Sequence, residues 1–195
     1  REGGTSGCVE AGAFGKEAYI LTGYFNLPKV LEIALNDGVD PRTGARLGPA
    51  TGDPGTFEDF EALFAAFETQ MRHFLDIKLR GNDIIERFYA EHMPAPYLSL
   101  ITDDCIENGL DYNEGGARYN TSYIQGVGIG TITDSLAALR LYAFDGDATG
   151  DAPRRCPMCR FLAALASDYQ NDVELHELVV NRSPKWGNDD DEADD

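Results

Sequence analysis

The sequence predicts a helix-rich α/β domain, with an α-rich domain as the alternative. Three observations carry this. Apolar residues recur at spacings of three and four from Phe60 to Tyr89, the period of an amphipathic helix. Of two further runs, "AYILTGYF" reads as extended or turning and "RYNTSYIQ" as strand-like. Each is followed within a few residues by a helical pattern, an order that suits an α/β layer.

The elements follow in order. Gly3–Glu17 is one-third glycine and reads as a loop too glycine-rich for a stable helix or strand. After the first extended run, Asn26 caps a helix, Pro28 suits its first turn, and Val30, Leu31, Ile33 and Leu35 form its apolar stripe. "NDG" at 36–38 ends it. Residues 38–56, dense in Gly and Pro, are a loop. Thr56 is expected to cap a long helix from about Phe57, with Glu58 and Asp59 in its first turn. Phe60, Leu63, Phe64, Phe67, Met71 and Phe74 continue the pattern through Ile77, Ile84, Ile85, Phe88 and Tyr89, until "MPAP" at 93–96 stops it. "YLSLITDDCIENG" reads as one shorter helix. The 115–143 stretch is a glycine pair, a strand, the cluster Gly126–Gly130, and a helix capped by Thr131 or Thr133. A linker covers 145–153, and helices near 157–169 and 172–181 precede the acidic tail.

Composition limits the partners. The net charge is −18, with six carboxylates in Asp189–Asp195, and nucleic acid needs the opposite sign. No apolar run approaches a membrane span, so a membrane partner is not expected. Four cysteines, Cys8, Cys105, Cys156 and Cys159, are too few for a disulfide scaffold and fit a reducing cytoplasm. The chain opens on Arg1 and stops inside an acidic run, so an internal piece of a longer protein is expected.

The pair Cys8 and Glu10 needs a chemical reason. In an extended segment, i and i+2 point to one side and lie roughly 6–7 Å apart, room for one small substrate between sulfur and carboxylate. No histidine is near in sequence to make a thiolate, and a neighbouring carboxylate raises a thiol's pKa. The pair is therefore a poor ionic nucleophile. It makes sense if sulfur acts as a radical and the carboxylate as a proton acceptor.

"SGCVE", "GGARYNTSYIQGVGIGTITDSLAALR" and "PKWGNDDDEAD", in that order, resemble the glycyl radical enzymes, the family of pyruvate formate-lyase and its eliminase relatives. That resemblance implies that residues 1–195 are part of a ten-stranded α/β barrel, with the cysteine loop (3–17) at its centre. Cys8 matches the thiyl position and Glu10 the general base of the eliminases. The stretch "GAFGKEAYILTGYFNLPKVLE" is most similar to hydroxyproline dehydratase-type sequences, in which a tyrosine matching Tyr24 lines the substrate site. The expected function is therefore a lyase, a dehydratase acting on a small hydroxylated molecule in anaerobic metabolism. No cofactor is expected on this chain. The glycyl radical would sit in a C-terminal domain whose motif is absent here, installed by an activating enzyme using S-adenosylmethionine and an iron–sulfur cluster. A homodimer is implied at full length.

Two departures matter. Gly7 and Val9 flank Cys8 where pyruvate formate-lyase has adjacent cysteines, so formate C-acetyltransferase activity falls behind elimination. "CPMC" at 156–159 has half a zinc site's spacing and no second pair; a metal-binding or interaction module using Cys156 and Cys159 is the non-enzymatic alternative. Gly126–Gly130 lacks the dinucleotide fingerprint and the P-loop lysine; the family resemblance implies for it a structural role, tight backbone approach near the barrel. The acidic tail lacks EF-hand spacing, and His73, His92 and His176 receive no role.

Overall fold

The computed structural model describes residues 3–6, 10–145, 158–189 and 191–194. They form two compact units. One comprises Arg1–Phe25 and Asp76–Gln125, the other Asn26–Leu75 and Gly126–Asp195.

In the first unit, β1 (Gly3–Ser6) pairs antiparallel with β2 (Glu10–Ala13), with Ser6 opposite Glu10 and Gly3 opposite Ala13. The expected loop is thus a strand pair. Its glycines make room for rings rather than for flexibility. A Cβ on Gly4 would lie 2.6 Å from the Phe14 ring, and one on Gly12 would lie 2.3 Å from the Tyr19 hydroxyl. Gly7, Cys8 and Val9, which join the two strands, lie outside the described residues.

β3 (Glu17–Asn26) neighbours β4 (Tyr119–Val127) in a second two-stranded sheet. Tyr119 N donates to Lys16 O, the Thr121 hydroxyl lies 3.2 Å from Ala18 O, and Thr22 Oγ1 donates to Tyr123 O. These contacts advance together along both chains, the pattern of a parallel pair, which requires a long crossover. The crossover includes α2 (Phe60–His92), a continuous 33-residue helix. It starts three residues later than expected because Asp59, not Thr56, caps it, accepting from Ala62 N at 2.8 Å. Thr56 instead ends a 3₁₀ turn, its hydroxyl donating to Asp53 O.

The expected single helix after "MPAP" is two, α3 (Pro96–Ile101) and α4 (Cys105–Asn108). Tertiary partners break it. Asp103 N donates to Gly15 O at 2.7 Å, Asp104 takes φ 76°, and Arg118 grips the Asp104 carboxylate with two hydrogen bonds. Ala18, Cys105, Tyr112 and Ala117 make a small core here, with Ala95 packed on it.

The second unit is helical. α1 (Leu27–Ala34) is capped by Asn26, as expected, and buries Val30, Leu31 and Ile33. It packs against α5 (Ile129–Leu139), which runs on as a π-helical turn over Arg140–Asp145. α5 begins at Gly128, φ 85°, rather than at a threonine cap; Thr131 and Thr133 lie inside the helix. The reason is close approach: a Cβ on Gly128 would sit 2.6 and 2.7 Å from the Pro28 ring carbons. What Gly128 meets is thus a proline ring, a side chain rather than a neighbouring backbone. α6 (Met158–Ala166), α7 (Val173–Asn181) and the one-turn α8 (Asp191–Asp194) complete the unit. Leu63, Tyr142 and Leu175 are its most fully buried large side chains.

The helix-rich α/β reading matches these elements. A ten-stranded barrel is not visible in them, since the described strands form two separate pairs.

Candidate functional site

The strand pair that brackets Cys8 is anchored by side chains from β3 and β4. Glu17 and Tyr19 are i,i+2 on β3, and Thr121 and Tyr123 are i,i+2 on β4, which places each pair on one face of its strand. Glu17 Oε2 accepts from Ala13 N at 2.9 Å, and Glu17 Oε1 accepts from Thr121 Oγ1 at 2.7 Å. The Tyr123 hydroxyl donates to Ala11 O at 2.7 Å and lies 3.4 Å from Glu17 Oε1. A phenol has one proton, and the shorter contact holds it.

The Thr121 hydroxyl, then the Ala13 amide, stabilise the Glu17 carboxylate and lower its pKa. Burial, then the negative charge of Glu17, pushes the Tyr19 phenol up. That phenol is buried and has no hydrogen-bond partner among the described residues. Its ring is tilted against Tyr123, centroids 5.7 Å apart, and its backbone N–H donates to the Tyr112 hydroxyl at 2.7 Å.

Tyr24 lies near the end of β3 and is 66% exposed. Just before it the strand kinks at Gly23, φ 128°, a left-handed-side value that favours glycine. Lys78, from α2, donates to the Thr22 carbonyl at 2.6 Å at this kink.

Of the residues singled out from sequence, Tyr24 and the Glu10 backbone fall in the same unit. Cys8 and the Glu10 side chain lie outside the described residues, as does Cys156. Cys159 is an exposed free thiol on α6, and Cys105 is a buried one whose pKa is raised, first by burial. No group of three or more His, Cys, Asp or Glu side chains is placed to hold a metal among the described residues.

Sequence reasoning missed Glu17, Thr121 and Tyr123. The signal was present only in part: "YNTSY" puts Thr121 and Tyr123 on one strand face. That this face meets a glutamate over a hundred residues earlier depends on the parallel pairing.

A pyruvate formate lyase-like family model matches residues 1–195. Trans-4-hydroxy-L-proline dehydratase of Clostridioides difficile is 53% identical over 195 residues, which are 100% of this chain and 24% of that protein. The crystal structure of that dehydratase with trans-4-hydroxy-L-proline bound superposes with a TM-score of 0.90, covering 98% of this chain and 23% of that one. The glycerol-bound, B12-independent glycerol dehydratase from Clostridium butyricum gives 0.85 at 32% identity, covering 99% and 23%. The chain thus spans about a quarter of the length of the relatives it matches.

Proposed function

Because the chain belongs to the pyruvate formate lyase-like family, we propose that it supplies the cysteine-bearing segment of a glycyl radical lyase of the dehydratase type. The observation that supports this reading best is the 53% identity to a hydroxyproline dehydratase along the whole chain. Trans-4-hydroxy-L-proline is accordingly the first substrate to test.

The glycyl radical, carried elsewhere in the full-length enzyme and installed by a radical-activating partner, supplies the unpaired electron. The strand pair suits delivery to Cys8: pairing of Ser6 with Glu10 fixes both ends of the three-residue connection that holds the cysteine. As a thiyl radical, Cys8 takes a hydrogen atom from a substrate carbon, forming S–H and leaving a carbon radical. Glu10 accepts the proton of a hydroxyl or equivalent polar group on that carbon. The neighbouring carbon–oxygen bond then breaks, and the leaving hydroxide takes up the proton held by Glu10, departing as water and restoring the carboxylate. Return of the hydrogen atom from Cys8 to the product radical regenerates the thiyl. Tyr24 borders the substrate from the end of β3. Acyl transfer of the formate acetyltransferase kind is disfavoured, since Cys8 has Gly7 and Val9 rather than a cysteine beside it.

The test is made in the full-length enzyme carrying this segment, activated anaerobically. Cys8→Ser should abolish turnover while the glycyl radical still forms, because a serine O–H bond is too strong for the radical to open. Glu10→Gln should leave radical formation intact and slow elimination about 10²–10⁴-fold, the usual contribution of one general base. Parental turnover in either variant, at matched radical content, would sink the reading.

A further inference from the structure

The free edge of β2 is held by side chains, and this points past the two residues that would do the chemistry. In a strand, a residue's N–H and C=O point to the same edge, and residues i and i+2 share that edge. Ala11 and Ala13 therefore present their backbone groups together. The Ala11 carbonyl receives the Tyr123 hydroxyl, the Ala13 N–H goes to Glu17, and the Ala13 carbonyl accepts from Lys16 N at 3.1 Å. Where a third strand would otherwise satisfy these groups, a phenol, a carboxylate and the amide of Lys16 do so. The phenol binds the carbonyl of Ala11, the residue next to Glu10, which is the first residue of β2.

We propose that Tyr123 is a positioning residue for the elimination: its hydrogen bond to the Ala11 carbonyl fixes the start of β2, and through it Glu10. Glu17 and Thr121 hold the other end of the same strand. This inference rests on the reading of Glu10 as the base. Tyr123 touches no substrate in it. It acts by limiting where the carboxylate can go, and reacting groups displaced by about 1 Å can lose on the order of 10²-fold in rate.

A double-mutant cycle tests this. Tyr123→Phe keeps the ring stacked on Tyr19 and removes only the hydroxyl. The parent, Tyr123→Phe, Glu10→Gln and the double variant are compared as full-length enzymes at matched glycyl radical content, measured by electron paramagnetic resonance. The substrate is trans-4-hydroxy-L-proline, or glycerol if the parent does not turn over the first.

Tyr123→Phe should lower kcat about 10-fold, as one lost orienting hydrogen bond does, with KM within about 2-fold. In the Glu10→Gln background the same change should matter less than about 2-fold, since the group it positions is gone. Parental kcat in Tyr123→Phe, or an equal loss in both backgrounds, overturns the positioning role while leaving the base reading intact. Parental kcat in Glu10→Gln overturns the base reading and this role with it. If Tyr123→Phe does not fold, Thr121→Val, which loosens Glu17 at the far end of β2, must show the same background dependence.

Discussion

Replacing Gly12 by alanine should pry β2 from its anchors. An ideal Cβ there would lie 2.3 Å from the Tyr19 hydroxyl, 2.4 Å from Glu17 Oε2 and 2.5 Å from Tyr19 Cε1. Ordinary carbon contacts begin roughly 1 Å further out, so something must move. The Tyr19 ring rests on Tyr123, and its backbone is tied to Tyr112. Glu17 is held by Thr121 and by Ala13 N. The strand is the softer partner. Overpacking of this kind costs about 1–3 kcal/mol, and each 1.4 kcal/mol is tenfold in an opening equilibrium, so amide exchange across 10–19 should accelerate about 5–150-fold. Hydrogen exchange of the full-length protein, read by mass spectrometry on that peptide, is the assay. Gly81→Ala is the matched control. Gly81 sits inside α2 with nothing within 4 Å of its Cβ position, so the same substitution should slow exchange, stabilising the helix by about 0.5–1 kcal/mol. Unchanged exchange at 10–19 in Gly12→Ala would refute the packing argument.

Three further outcomes follow from particular contacts. The pKa of Asp40 is lowered to about 2, first by the Lys29 ammonium and then by the Thr43 hydroxyl. Its stabilising contribution is therefore complete above the ordinary carboxylate range near 3.8 and is lost as pH falls toward 2; exchange in 37–47 should rise over that window, and Asp40→Asn should flatten the response. Gly128→Ala combines φ 85° with carbons 2.6 Å away on Pro28, and should lower the thermal midpoint by the several degrees that about 2–3 kcal/mol implies, with 27–34 and 129–139 losing exchange protection together. Tyr24→Phe, if the hydroxyl meets substrate, should raise KM about 3–10-fold with radical content unchanged; parental KM would remove Tyr24 from the site.

Much of the helical fold was legible because each helix carries its own local signal. Asn26 and Pro28 marked the start of α1, and the spacing of Phe60, Leu63 and Phe67 marked α2. The late start of α2 is a local miss, Asp59 capping in place of Thr56; the two larger misses share one cause, a partner distant in sequence. The helix at Tyr97–Asn108 breaks because Gly15 and Arg118 draw on Asp103 and Asp104. α5 starts early because Pro28 crowds Gly128. Nothing in either segment's own residues announces these neighbours.

The candidate site divides the same way. Cys8 and Glu10 are proposed from sequence because their chemistry would lie in two residues of one short motif. Glycine content then argued for a loop, and that inference failed: Gly4 and Gly12 lie in paired strands, where Phe14 and Tyr19 fill the space a Cβ would take. The correction changes what the glycines do. A flexible loop would leave the orientation of Glu10 to the substrate. A strand edge held at Ala11 by Tyr123 and at Ala13 by Glu17 fixes the course of the backbone there; on the proposed reading of Glu10 as the base, that sets the proton acceptor before the substrate carbon is activated. Radical elimination needs that order, since a carbon radical that waits for its base can be quenched by the returning hydrogen atom. Of the two anchors, Tyr123 holds the residue next to Glu10, whereas Glu17 holds Ala13, and so the effect of losing Tyr123 on turnover should exceed that of Thr121→Val, which reaches β2 only through Glu17.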